Sequence, residues 1–259
     1  PLDDHDPRGF DHCGTVFEQI PTPTPYPIPY RVLYSANVEN LYFAGRNISA
    51  THAALSSTRV MRTCALLGQA VGTAVAIAIR RNLTPHDVYL SACAELQQAL
   101  LADDCFLPGF RRTISQLCAY ASFSGPDALR NGLDRPHKLH ACACDAQIEN
   151  HMELSYQWRA PTIIHSVHLV FDSDLNRITL PGNEMERTHV TRACTPLDAP
   201  QMHLPTTLCR SFRLTGLLEN GEIEELYDET ENIRRAVTIP IDRTLVGLCL
   251  CLRANWGGT

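Results

Sequence analysis

The sequence has little of several things, and each shortage removes a class of function. Charged residues make up 19% of the 259 residues and aromatics 7%. The net charge is −6, with both signs scattered. No basic stripe is present to neutralise phosphates or an anionic membrane surface, so nucleic acid and membrane are not expected partners. No C-x-x-C pair stands at zinc spacing from a histidine, and no metal is expected. There is no internal repeat, and no low-complexity tract apart from one run of prolines. The chain opens PLDDHDPRGF, without Met or a targeting segment, and we expect residues upstream of it.

What is present is a globular composition, 44% apolar, over a length sufficient for two domains. Eleven cysteines are odd in number, and most sit in apolar runs such as LCLCL (248–252), as expected of reduced, buried thiols. Cys142/Cys144 and Cys249/Cys251 are C-x-C pairs, which in a strand share a face. PTPTPYPIPY (21–30) carries alternating prolines and must be extended, either a linker or a strip over a domain surface.

RVLYS (31–35) and NLYFAG (40–45) read as two short strands joined by a tight turn. A polar loop follows, then a helix over 61–80 with Ala65, Gly68, Gly72 and Ala76 as a bare stripe. Gln69 and Thr73 interrupt it, which argues against a membrane span. Glycine in a helix interior costs roughly 1 kcal/mol against alanine, so two of them imply close backbone approach to something. A second helix is expected over 84–104, with Thr84 as N-cap, Pro85 in the first turn and Asp87 completing a capping box. FLPGF (106–110) ends it. Beyond about residue 115 the pattern changes to strands: 151–158, 163–171, 207–214, 222–228, 233–240 and 245–253, with a hairpin turn at Asn220-Gly221. The fold class is therefore α+β with two domains, 1–112 and an antiparallel β-sandwich over 113–259.

Strand, loop and small-residue helix form the layout of a site that offers a helix N-terminus to an anionic or electron-rich ligand. Gly45 lets backbone approach without a Cβ, and Arg46, Arg59 and Arg62 add cations around the loop. A packed strand–helix pair with surface arginines fits the spacing as well. His52 is a candidate proton donor or acceptor, or a loop histidine bonded to backbone. His12 beside Cys13 could belong to a substrate-side segment. In the second half, Tyr156, Trp158 and Trp256 are the aromatics available for a sugar, although the first two alternate like core residues. DSDLN (172–176) reads as a turn, short of calcium ligands.

Residues 29–75, PYRVLYSANVENLYFAGRNISATHAALSSTRVMRTCALLGQAVGTAV, resemble the C-terminal flavin-contacting segment of the FAD-dependent oxidoreductase family. The tail is similar to the galactose-binding-like sandwich appended to some members. The resemblance implies a partial FAD-binding α/β domain, with FAD as cofactor and a small organic substrate, a carbohydrate among the candidates. It implies that Gly45 and Arg46 lie near the ribityl and phosphate groups. Thr63, Cys64 and Ala65 would face the pyrimidine edge of the ring, and the Gly68/Gly72 stripe would pack on the nucleotide-binding sheet. His52 and Arg59 would serve as proton-handling and anion-meeting groups. The family's G-x-G-x-x-G turn occurs nowhere in these residues. The resemblance therefore implies the C-terminal part of a longer enzyme, inactive alone, with an apolar face left exposed.

Overall fold

The computed structural model describes residues 2–5, 17–20, 25–135, 152–175, 179–180, 183–186 and 203–258. The chain divides into two compact units, Pro1–Thr113 with Gly132–Ala143, and Ile114–Asn131 with Cys144–Thr259.

In the first unit, β1 (Leu2–His5) and β2 (Phe17–Ile20) pair antiparallel. An extended strip over 25–29 then tucks Ile28 and Tyr30 against the core while its prolines stay exposed. The two strands expected at 31–35 and 40–45 are reduced to a single antiparallel bridge, Tyr34 with Tyr42. Tyr30–Leu33 is a 3-10 turn instead, and Gly45–Asn47 is another. The bonds Phe43 N–H to Leu33 O at 2.8 Å and Ser35 N–H to Leu41 O at 2.9 Å hold the bridge. Among the described residues no further strand extends it, so the backbone closes on itself locally.

Helix α1 (His52–Thr58) occupies what the sequence reads as loop. Thr51 caps it by accepting from the Ala54 N–H, so a short Ala-Ala-Leu run becomes about two turns of helix. Helix α2 (Met61–Arg81) follows almost directly and ends on Asn82 in the left-handed conformation (φ 52°). Helix α3 (Pro85–Asp87) begins with the expected capping box, in which Thr84 and Asp87 satisfy each other's backbone N–H groups. A π turn over Val88–Ala92 leads into α4 (Cys93–Ala102). Ala74, Ile77 and Ala78 of α2 pack on Val88, Ala92, Leu96 and Leu100. Arg80 and Arg81 both pair with Glu95 across the two helices.

By length and composition, α2 is a helix that could cross a membrane, with a mean hydropathy of 1.5 and 22% of its most apolar window buried. Gln69 and Thr73 do not bring the helix below that length and hydropathy. One face of α2 nevertheless has a protein partner in α4.

The second unit is antiparallel β, as the strand pattern implies. Helix α5 (Gln116–Tyr120) and β3 (Ser122–Phe123) precede β4 (Met152–Val170). Then come β5 (Thr179–Leu180), β6 (Asn183–Glu186), β7 (Cys209–Leu217), β8 (Ile223–Glu229) and β9 (Ala236–Asn255). One sheet runs β3-β4-β9-β7-β8, and β5 pairs with β6. Four runs that read as separate strands are two continuous ones, because β4 and β9 pass through Pro161 and Pro240 at register shifts. A proline donates no ladder bond, and a bulge is where a strand tolerates one. The turn at Asn220-Gly221 closes β7 onto β8 as expected, with Gly221 at φ +84°. Phe212, Leu214 and Leu245 are fully buried at the centre of this unit's core. Gly216 lies between Leu245 and Leu226, where a Cβ would come within 2.7 Å of Leu245.

Candidate functional site

The residues singled out by sequence meet where the Gly45–Asn47 turn lies beside both α1 and α2. Just after the turn, Ile48 is buried with Leu33 and with Leu67 of α2, which fastens the turn to the second turn of the helix. Gly45 takes φ +82°, a conformation that disfavours a side chain, and the space beside it is open, since a Cβ there would meet only Asn47 Oδ1 at 3.9 Å. Arg46 is exposed on the same turn.

His52 is the first residue of α1 rather than a loop residue; its side chain lies outside the described residues. Arg59 caps the end of α1, its N–H bonded to Leu55 O at 3.0 Å, one residue before α2 is entered. The N-cap of α2 is Val60, which has no side chain to satisfy the first N–H groups, and the first turn holds no acid. Arg62 is exposed there. Thr63 and Cys64 are half-buried and Ala65 is exposed. The Cys64 thiol points back to Thr58 O at 3.6 Å, which ties the start of α2 to the end of α1. Nothing lies within 4 Å of a Cβ built at Gly68 or Gly72, and Ala65 and Ala76 are exposed with them.

This arrangement fits the flavin the resemblance implies: an uncapped helix N-terminus with no acid in its first turn, a glycine turn and an open stripe, with arginines near. Sequence reasoning missed α1, and with it the fact that His52 and Arg59 stand at opposite ends of one helix. Thr51 before Ala-Ala-Leu was the available signal.

A second group of side chains was also missed. Tyr30 and Tyr34 have ring centroids 5.4 Å apart, Tyr30 stacks with Tyr89 at 6.5 Å, and His86 lies 6.0 Å from Tyr34 and 6.3 Å from Tyr89. Arg31 sits over the Tyr89 ring at 5.8 Å. Burial raises the pKa of both Tyr30 and Tyr34 above the ordinary phenol range.

In the second unit the aromatics are engaged in packing. Tyr156 stacks between Phe123 and Trp158, burial pushes its phenol up to about 12, and Trp158 donates its indole N–H to Leu117 O at 2.9 Å. Trp256 donates to Asn232 O at 2.8 Å. Asp172 accepts from the Asp174 N–H, as a turn would; Asn176 lies outside the described residues, as do His12, Cys13 and Cys142/Cys144. The seven described cysteines are free thiols.

Residues 1–100 match the family model described as FAD dependent oxidoreductase, which bears out the resemblance carried by residues 29–75. No curated protein matches the chain. Among solved structures, the family 32 carbohydrate-binding module of Streptococcus pneumoniae EndoD is 13% identical, over 44% of this chain and 62% of that one, at TM-score 0.29. The module CpGH89CBM32-4 of Clostridium perfringens is 12% identical over 43% of this chain and 61% of its own, at TM-score 0.26. CpGH89CBM32-5, solved in complex with GalNAc-β-1,3-galactose, is 8% identical over 53% and 86%, at TM-score 0.30.

Proposed function

We propose that this chain, whose first hundred residues match the FAD dependent oxidoreductase family, supplies one wall of a flavin site in an oxidoreductase that moves hydride between a small organic substrate and FAD. The observation that carries the reading is the uncapped N-terminus of α2 beside the Gly45 turn, with the Gly68/Gly72 stripe open along the same helix. When bound, FAD supplies the hydride chemistry itself.

This chain's residues bind and bias. Thr63, Cys64 and Ala65 face the pyrimidine edge, where the first-turn N–H groups up to Thr63 and the positive end of the helix stabilise negative charge; the Cys64 N–H is held by Val60 O at 2.9 Å. Gly45 and Arg46 hold the ribityl and phosphate side. Arg59 meets an anionic substrate group, and His52 holds or releases a proton beside the substrate. Gly68 and Gly72 receive the nucleotide-binding part, which carries the G-x-G-x-x-G turn absent from these 259 residues.

The test is flavin content in the full-length protein. It should purify yellow, and Gly45→Trp, which places an indole at a φ of +82° beside the open turn, should remove the colour. A colourless full-length protein that also fails to bind added FAD overturns the reading.

A further inference from the structure

The tyrosine group of the first unit has one feature that the flavin reading does not use. The Tyr34 hydroxyl lies 3.1 Å from His86 Nδ1, and the ring is only 9% exposed while His86 is exposed. A phenol is hard to oxidise while it keeps its proton, because the radical cation is a very strong acid. A base on the hydroxyl removes that obstacle. Tyr30 has no such base: its oxygen lies 3.1 Å from the Tyr42 hydroxyl and 3.1 Å from Pro85 O, and neither takes a proton.

In the second unit the Tyr227 hydroxyl faces Glu229 at 3.1 Å, but the Glu231 backbone N–H, against the opposing effect of burial, leaves that carboxyl below its ordinary range. A carboxylate so stabilised is a poor proton acceptor. Of the described tyrosines, Tyr34 therefore has the best proton acceptor. Tyr30 and Tyr89 stand within ring-contact range, giving an electron a short path to the surface.

We propose that Tyr34 and His86 form a one-electron site. Tyr34 gives one electron to a one-electron oxidant at the Tyr89 face, and its phenolic O–H bond breaks as the proton passes to His86 Nδ1. The products are a neutral tyrosyl radical, an imidazolium and the oxidant reduced by one electron. A one-electron reductant such as a thiol or ascorbate returns the electron, and the proton goes back to the phenolate oxygen. The groups facing His86 are Tyr34, Tyr89 and, on its own turn, Asp87; Arg31 lies over the far ring. The raised phenol pKa of Tyr34 fits a group that stays protonated until it is oxidised. None of this depends on a bound flavin.

The test uses the whole chain with photo-excited tris(bipyridyl)ruthenium and persulfate as the oxidant, followed by electron paramagnetic resonance and transient absorption. The wild-type chain is expected to give a tyrosyl signal. Tyr34→Phe, which keeps the ring, should lose most of it. His86→Gln, which can accept a hydrogen bond but not a proton, should form it severalfold more slowly. Tyr227→Phe should change little. An unchanged rate and yield in both Tyr34→Phe and His86→Gln overturns the proposal, as does loss of the signal in Tyr227→Phe. Circular dichroism establishes that each variant is folded, and the His86 variant carries the test if the Tyr34 variant is not.

Discussion

The two units treat their apolar side chains in opposite ways. In the second, Phe212, Leu214 and Leu245 are 0% exposed, and the sheet closes over them without help. In the first, the longest helix leaves Met61 89%, Leu66 56% and Ile79 77% exposed. Its partnered face rests on α4, while its small-residue stripe faces open space. An element that spends two glycines on bare backbone gains nothing from them in isolation, since each costs roughly 1 kcal/mol in helix propensity. The second unit is organised around its own core, and the first around a surface that the proposed nucleotide-binding part would occupy.

Four measurements would break or sharpen this contrast. The largest effect belongs to Phe212→Ala, which should cost about 3–5 kcal/mol in urea unfolding of the second unit. A cost below about 1 kcal/mol would mean that core is not closed. Gly132→Ala comes next: at φ +77° its Cβ would lie 2.2 Å from Arg112 O, beside the bidentate Arg112–Asp134 pair. A loss of about 1–3 kcal/mol is expected from the strained backbone alone.

Thr84→Ala removes the capping box and should cost about 1 kcal/mol, read as lowered helicity and midpoint. The same box holds the Asp87 carboxyl below its ordinary range through the Thr84 hydroxyl and N–H. A carboxyl depressed in the folded state stabilises above its unfolded pKa, and the contribution disappears as pH falls through the folded value. The Thr84→Ala difference should therefore shrink as the solution is acidified below about pH 4; a difference independent of pH would sink this account. Smallest of all, Leu66→Gln and Ile79→Gln on the exposed face of α2 should each change stability by less than about 0.5 kcal/mol while lowering dye binding to exposed apolar surface. A large destabilisation would show that the face is already covered.

Local signals predicted well wherever the determinant was local. Thr84-Pro85-His86-Asp87 reads as a capped helix start because the satisfied N–H groups lie within three residues. Asn220-Gly221 reads as a hairpin because Gly221 alone must take a positive φ. The helical spacing placed Ala65, Gly68, Gly72 and Ala76 on one face of α2, but the face that meets α4, with Ala74, Ile77 and Ala78, was not picked out. The same reasoning failed at RVLYS and NLYFA, where β propensity had no neighbouring strand to pair with, and at 46–60, where a threonine cap turned a polar loop into α1. It also split β4 and β9 at their prolines, since a bulge that accommodates Pro161 or Pro240 depends on the partner strand.

The candidate site was legible as residue types but not as an arrangement. Gly45, Arg46 and the start of α2 were recognisable from the motif. That Ile48, Leu33 and Leu67 pin them together, and that His52 and Arg59 sit at opposite ends of a helix, was not.

By itself the sequence determined α2, the Thr84-capped helix start, the hairpin turn, the change from helical to strand character and the resemblance of residues 29–75 to one family, because each rests on neighbours within a few positions or on a contiguous motif. Only the tertiary structure decided which runs joined into long strands, which faces of α2 were buried or left open, and that Tyr34 meets His86 across 52 residues. Those outcomes depend on contacts between segments distant in the chain, whose energies no local pattern encodes.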